Sequence, residues 1–307
     1  MGSLRVRALD PERELDAFLA LRNATRMGNL DRERWLETEA RAPASSLRRN
    51  LVGGLDGRMV AVASVADDEF VTNCVSAFVA TGPGHRRRGH GRAMLAAVEE
   101  VVAERRPAEV RTATRDDDGE SRAWAERRGF AVFDHTFRSR LDLDAFDPAP
   151  HRGAVERAEA SGLRFHRFGA ADDPELLFDL FVRLFRDVPD QTEPPDRSYF
   201  QREVADLEGM ISVLAYDGDT PVGLATLLPL QAGEYLNALT GVLPEYRGRG
   251  LARALKVVSG EAVRETGRRY VVTNNNARNA PMLAVNDALG FVRQVGLLHL
   301  RRRTPTV

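Results

Sequence analysis

The chain repeats itself once. RRRGHGRAML, Arg86–Leu95, and RGRGLARALK, Arg247–Lys256, align at an offset of 161 residues. The same offset carries Pro83 to Pro244 and Gly129-Phe130 to Gly290-Phe291. An offset of 159 pairs the two openings: Leu4–Ala8 ahead of PERELDAFLALR, and Leu163–Phe168 ahead of PELLFDLFVRLF. A period this long is a duplicated domain rather than a solenoid, and each copy has the size of an ordinary domain. The expected division is a first domain over 1–146, a linker over 147–162 and a second domain over 163–307. The linker falls within Asp144–Gly162, which is rich in Pro, Ala and Gly and has no strand pattern.

Each half reads as a strand, one or two helices, three strands, a helix, a strand, a helix and a closing pair of strands. Asp56-Gly57 and Asp217-Gly218-Asp219 sit between β-rich runs and read as hairpin turns. After Gly250, the residues Leu251, Ala254, Leu255, Val258 and Ala262 recur at helical spacing. Ala280–Leu289 ends at Gly290, a C-cap signal. The expected class is α+β: two tandem domains, each a mixed, mainly antiparallel sheet flanked by helices. A doubly wound nucleotide fold does not fit.

Charge narrows the partners. Basic and acidic residues number 44 and 45, for a net charge of −1, and they balance within each half: 26 against 27 up to Gly162, then 18 against 18. A nucleic-acid binder held by phosphate contacts is disfavoured. One basic residue is a lysine, Lys256; the rest are arginines, which reads as codon bias in a GC-rich bacterium. The single cysteine, Cys74, rules out an internal disulfide and a multi-cysteine metal site, and the six histidines have no ligand spacing, so no metal is expected. No run approaches the ~18 apolar residues of a membrane span. The opening MGSLRVRALDPERELD lacks the apolar core of a signal peptide. A cytoplasmic protein, monomeric or a homodimer, is expected.

The sharpest local feature is a strand, turn and helix running from Thr240, Gly241 and Val242 through Pro244 to Arg247-Gly248-Arg249-Gly250-Leu251-Ala252 and Arg253. Glycines at 248 and 250 let backbone N–H groups approach a ligand, and a helix N-terminus adds partial positive charge, which suits a pyrophosphate. Neither GxxxxGK[ST] nor a Rossmann GxGxxG is present. The pattern R-x-x-G-x-G/A resembles the acyl-CoA pyrophosphate loop of the GNAT superfamily of N-acyltransferases. It recurs in the first half as Arg86-Arg87-Arg88-Gly89-His90-Gly91, five residues after Thr81. In both halves a strand and a proline precede it, a helix follows, and a Gly-Phe pair stands about 40 residues on. The two-domain plan also resembles that of actinobacterial tandem acetyltransferases.

The resemblance implies the rest of the machinery. In that family the central strands splay apart after the strand that carries Thr240–Val242 here. The exposed backbone groups bind the pantetheine arm and polarise the thioester. The amine then attacks directly, with no acyl-enzyme. An asparagine on the family's last helix touches the CoA arm, a place held here by Asn279; a tyrosine protonates the departing thiolate, a place held by Asn286. The first half has Asp118 and Ala125 there, and Asp118 reads equally well as a helix N-cap. Glu234, at the strand entrance, is the candidate base, with Tyr235 and Asn237 acting through water; the first-half entrance holds Asp68 and Glu69. The acceptor side is expected over Arg183–Arg202, where Asp187, Asp190, Glu193, Asp196 and Tyr199 would meet a cationic amine. Trp35 and Trp124 are expected in the core, and Arg301–Arg303 as a solvated tail. The implied function is acetyl-CoA-dependent N-acetylation of a small primary amine by the second domain. A non-catalytic acyl-CoA-binding sensor or scaffold is the alternative.

Overall fold

The computed structural model describes residues 4–24, 30–43, 45–68, 71–169, 171–188, 194–230 and 233–304. In chain order the first half holds β1 (Arg5–Ala8), α1 (Pro11–Asn23), α2 (Arg32–Arg41), β2 (Arg48–Leu55), β3 (Arg58–Asp67), β4 (Cys74–Thr81), α3 (His90–Arg105), β5 (Glu109–Arg115), α4 (Gly119–Glu126) and β6 (Ala131–Asp142). Next come α5 (Ala149–Ala160), β7 (Leu163–Arg167), α6 (Pro174–Phe185), α7 (Arg197–Phe200), β8 (Ile211–Asp217) and β9 (Thr220–Pro229). The chain closes with β10 (Glu234–Val242), α8 (Leu251–Glu265), β11 (Tyr270–Asn276), α9 (Ala280–Ala288) and β12 (Val292–Arg303).

Local chemistry explains the doubled plan. α1 and α6 both start at an aspartate N-cap followed by proline: Asp10 accepts from Arg13 N–H, and Asp173 from Glu175 N–H. Asp56 and Gly57 both adopt positive φ, 50° and 77°, which a type I′ turn between β2 and β3 requires.

Two compact units result, Met1–His135 with Gly296–Val307, and Thr136–Val295. In the first unit β1, β2, β3 and β4 form an antiparallel meander, β5 joins β4 in parallel, and β12 pairs antiparallel with β5. In the second, β7, β8, β9 and β10 form the meander, β11 joins β10 in parallel, and β6 pairs antiparallel with β11. The expected α+β class and the doubling are both present. β3 is buried on both faces, in keeping with an apolar run that only Ser64 interrupts between Met59 and Ala66. Ala61, Ala63 and Val65 meet Met94 and Val98 of α3, while Val62 meets Leu15 and Phe18 of α1. In the second unit Leu177, Leu180 and Phe181 of α6 and Leu251 and Leu255 of α8 share one core with β8 and β9.

Three expectations differ from what is found. Each half ends in one strand rather than a pair. The stretch expected as a linker holds helix α5, whose Ala154 and Ala158 are buried and which packs along α8. The closing strands are exchanged between the sequence halves. β6 pairs through Thr136–Asp142 with β11, and β12 pairs through Leu297–Arg303 with β5. Boundaries at 146 and 163 would assign both strands the other way. The reason is physical: a sheet edge offers N–H and C=O groups that carry no record of which half of a duplicated chain completes it. Arg301–Arg303 therefore belong to a paired strand, with Arg302 held 2.7 Å from Glu99.

Candidate active site

In the second unit β10 and β11 pair in parallel from Glu234↔Tyr270 to Asn237↔Thr273, and the pairing stops there. Both strands continue, β10 to Val242 and β11 to Asn276. The strands have splayed, leaving the β11-facing edge of residues 238–242 without ladder partners. On its other side β10 stays paired with β9, but the register shifts between Asn237 and Leu239. Ala238 is thus an extra, exposed residue, a β-bulge that turns the following backbone.

The splay opens into a cavity of about 420 Å³. Leu239, Thr240, Gly241 and Val242 form one wall. Gly248, Gly250, Leu251, Ala252 and Arg253 form its end, and Asn279, Met282 and Val285 of α9 face them. Leu184 of α6 and Asp187 just beyond it add to the lining, as does Arg247. Gly248 and Gly250 adopt φ of 76° and 80°, and α8 starts with no side-chain cap. Its first N–H groups are therefore available to an anion, at the positive end of the helix dipole.

The arginines add to this field. Arg247 donates through Nε to Val242 O at 2.9 Å and pairs with Asp187 through its outer nitrogen. Arg249 donates to Glu245 O at 3.0 Å and lies over the Tyr246 ring, outside the cavity lining. Asn279 caps α9 by accepting from Met282 N–H at 3.3 Å, so Nδ2 is the atom it offers a ligand.

Asn286 is corrected by helix phase. Positions 279, 282 and 285 share the cavity face, and 286 lies roughly 100° further round. It is 1% exposed and donates to Asn275 Oδ1 at 2.7 Å, inside the domain. It is therefore no cofactor contact in this arrangement. Glu234 is the first residue of β10, with its carboxylate 3.9 Å from Arg138. Six residues of strand separate it from Thr240, about 20 Å, and it does not line the cavity. Tyr235 is committed to Gly209 O at 2.8 Å, and Asn237 is buried. Of the expected acceptor acids, Asp187 meets Arg247 and Asp196 caps α7 through Tyr199 N–H at 2.8 Å. Asp190 and Glu193, like Glu69, lie outside the described residues.

The first unit repeats the splay without the bulge. β4 and β5 pair from Cys74↔Glu109 to Ser76↔Arg111 and then part, whereas the β3–β4 register is unbroken. The resulting cavity, about 460 Å³, is lined by Thr81, Arg86, Arg87, Gly89 and Gly91 among others; Arg88 and the buried His90 are not in its wall. Arg87 holds a positive φ of 60° where the second unit has Gly248, a strained placement for a side chain. It ion-pairs with Glu120, and Arg86 donates to Thr81 O at 3.4 Å. Asp118 lines this cavity and caps α4. Burial pushes its carboxyl up, but hydrogen bonds from the Ser121 hydroxyl and N–H hold it below the usual range. It is a fixed negative charge in the wall. Trp35 is core as expected; Trp124, partly buried, packs against the core and also lines the cavity, with the Arg128 guanidinium 3.8 Å over its ring.

Leu184 and Asp187 fall within the stretch expected on the acceptor side, while sequence reasoning missed the bulge and a buried lysine, Lys256. Its signal was there: one lysine in a chain of arginines, set between Leu255 and Val257.

A model of the acetyltransferase (GNAT) family matches residues 15–130 and again 175–291. A mycothiol acetyltransferase of Geodermatophilus obscurus is 27% identical over 308 residues, covering 96% of this chain and 96% of that protein. One from Clavibacter michiganensis subsp. michiganensis is 30% identical over 243 residues, covering 78% and 76%. Among solved structures, a tandem GNAT protein from the clavulanic acid biosynthesis pathway matches with a TM-score of 0.70 at 22% identity, covering 99% of this chain and 100% of that one. A GCN5-related N-acetyltransferase from Sphaerobacter thermophilus matches at 0.72 and 18%, covering 99% and 97%. At those identities the structural likeness bears on the fold.

Proposed function

Because the chain belongs to the acetyltransferase (GNAT) family, we propose that it moves an acetyl group from acetyl-CoA directly to a small primary amine, with the second unit carrying the chemistry. The observation that carries the choice of unit is the bulge at Asn237–Leu239, present in β10 and absent from β4.

The residues fit the donor. An uncapped helix start with two left-handed glycines suits a pyrophosphate, with Arg247 and Arg253 supplying charge. The unpaired edge of residues 238–242 offers N–H and C=O groups to an amide-bearing arm, and Asn279 Nδ2 offers one more donor. Acetyl-CoA supplies an activated thioester. N–H groups at the bulge polarise a carbonyl laid against them, the preorganised electrostatic stabilisation that acyl transfer needs. A protonated amine does not attack, so a base is required; Glu234, which does not line the cavity, is assigned that role only through a chain of waters along β10. With Asn286 in the interior, the departing thiolate is met by water and backbone N–H groups.

Asp118, Glu120 and the strained Arg87 argue for a first unit that does not turn over. Among the described residues no helix is long and apolar enough to cross a membrane, and we assign the reaction to the cytoplasm. The test is release of free CoA from acetyl-CoA across a panel of primary amines, beginning with acceptors related to mycothiol, which the relatives' name suggests. Tight CoA binding by calorimetry with no amine drawing release would replace the enzyme with a sensor or scaffold.

A further inference from the structure

Lys256 is 7% exposed, on the stretch of α8 that faces β10. Its Nζ lies 2.5 Å from Asn237 Oδ1 and 5.2 Å from the centroid of the Phe291 ring. Asn237 sits at the first position of the bulge, and its side chain spans it. Nδ2 reaches Leu239 O and Thr226 O, each at 3.4 Å, and Thr226 is the residue that pairs with Leu239 across the β9 ladder. Oδ1 also accepts from Thr240 Oγ1 at 2.8 Å, and the Asn237 carbonyl accepts from Thr273 Oγ1 at 3.3 Å.

An amide can present either end, and a bulge-spanning Asn has two orientations of similar shape. A lysine amine beside it, acting as donor, removes that choice: Oδ1 must face Nζ, and Nδ2 must face the two carbonyls of the bulge. The repeat supplies an internal comparison. The place of Lys256 is taken by Leu95 in the first half, where the β3–β4 register has no bulge.

We propose that Lys256 is a positioning residue for acyl transfer: by fixing the Asn237 amide it holds the Asn237–Leu239 bulge, and through Thr240 the cavity wall on which the acyl group reacts. It acts through Asn237 and touches no reacting atom. Burying an amine is costly unless it is hydrogen-bonded, and the bond it makes here is to the residue that braces the bulge.

This inference rests on the acetyltransferase reading of the second unit, so its test has one arm that needs turnover and one that does not. In the first, Lys256→Met is expected to lower kcat at least 10-fold while CoA affinity by calorimetry stays within threefold, because the pyrophosphate loop is untouched. Asn237→Ala should show the same split. The double variant should fall no further than the worse single, as coupled residues do. Losses that multiply, or a wild-type kcat in Lys256→Met, overturn the proposal. In the second arm, 15N spectra of the whole chain follow the Asn237 side-chain amide and the Ala238 and Leu239 backbone amides. Lys256→Met is expected to shift all three and speed their hydrogen exchange, while resonances of α5 and β7 stay in place. Unchanged bulge amides sink the proposal whether or not any amine is acetylated. If the amides move but the wild type releases no CoA, it is the acetyltransferase reading that fails.

Discussion

Gly241 faces Leu184 so closely that a Cβ built on it would stand 2.9 Å from Leu184 Cβ and 3.1 Å and 3.2 Å from its δ carbons. The end of α6 is thereby pressed against the strand that forms the cavity wall. Gly241→Ala should push α6 outward and cost ~1–3 kcal/mol, the usual range for overpacking. Urea unfolding measures it. In a Leu184→Gly background, which removes the Cβ as well as both δ carbons, the added cost should largely disappear, and equal costs in both backgrounds would show that the contact is relieved elsewhere.

The two arginine–glycine loops are expected to be unequal. Arg247→Ala with Gly250→Glu should abolish CoA release, because a carboxylate stands where the α8 N-terminus would hold a phosphate. Arg86→Ala with Gly89→Glu should leave most turnover. Both glycines hold left-handed φ, 80° and 86°, so the backbone strain of the two substitutions is matched and the comparison isolates function. A dead first-loop variant beside an active second-loop variant would reverse the assignment of units.

Glu234→Gln should reduce kcat/KM by ~10²-fold at neutral pH and recover at high pH as free amine accumulates. A loss under threefold would leave the carboxylate as a partner of Arg138 only.

Lys256 also sets a pH dependence. Burial lowers its pKa from 10.5 to about 7. Between those values the unfolded chain holds a proton that the folded chain has released, so stability rises with pH across that window, by up to ~1.4 kcal/mol per unit. The penalty is greatest at and below the folded value. Subtracting the urea-derived stability of Lys256→Met from that of the wild type removes the contributions of other groups. The difference should climb from about pH 7 toward pH 10; a flat difference would mean that the amine is solvated.

What was legible in the sequence was whatever depends on local chemistry. Asp10-Pro11 and Asp173-Pro174 announce their helices, Asp56-Gly57 its hairpin, and Gly248 and Gly250 the left-handed turn that opens α8. The bulge at Ala238 was not legible, because register is a relation between strands and Ala carries no mark of it. Asn286 was misassigned because an alignment by motif does not fix helix phase to within one residue. Lys256 reads as a surface position on an amphipathic helix; its burial comes from β10, where Nζ meets Asn237, and from the Phe291 ring, contacts that helical periodicity does not reveal.

The exchanged strands bear on the order of synthesis. A chain emerging from the ribosome usually completes its N-terminal domain first. Here the residues that complete the first sheet, Leu297–Arg303, are made after everything in the second unit. Translation to Val295 therefore releases a second unit with all its strands and a first unit whose β5 edge is still bare. The earlier-made half waits for the later, and for that interval a chaperone or another nascent chain could meet the open edge.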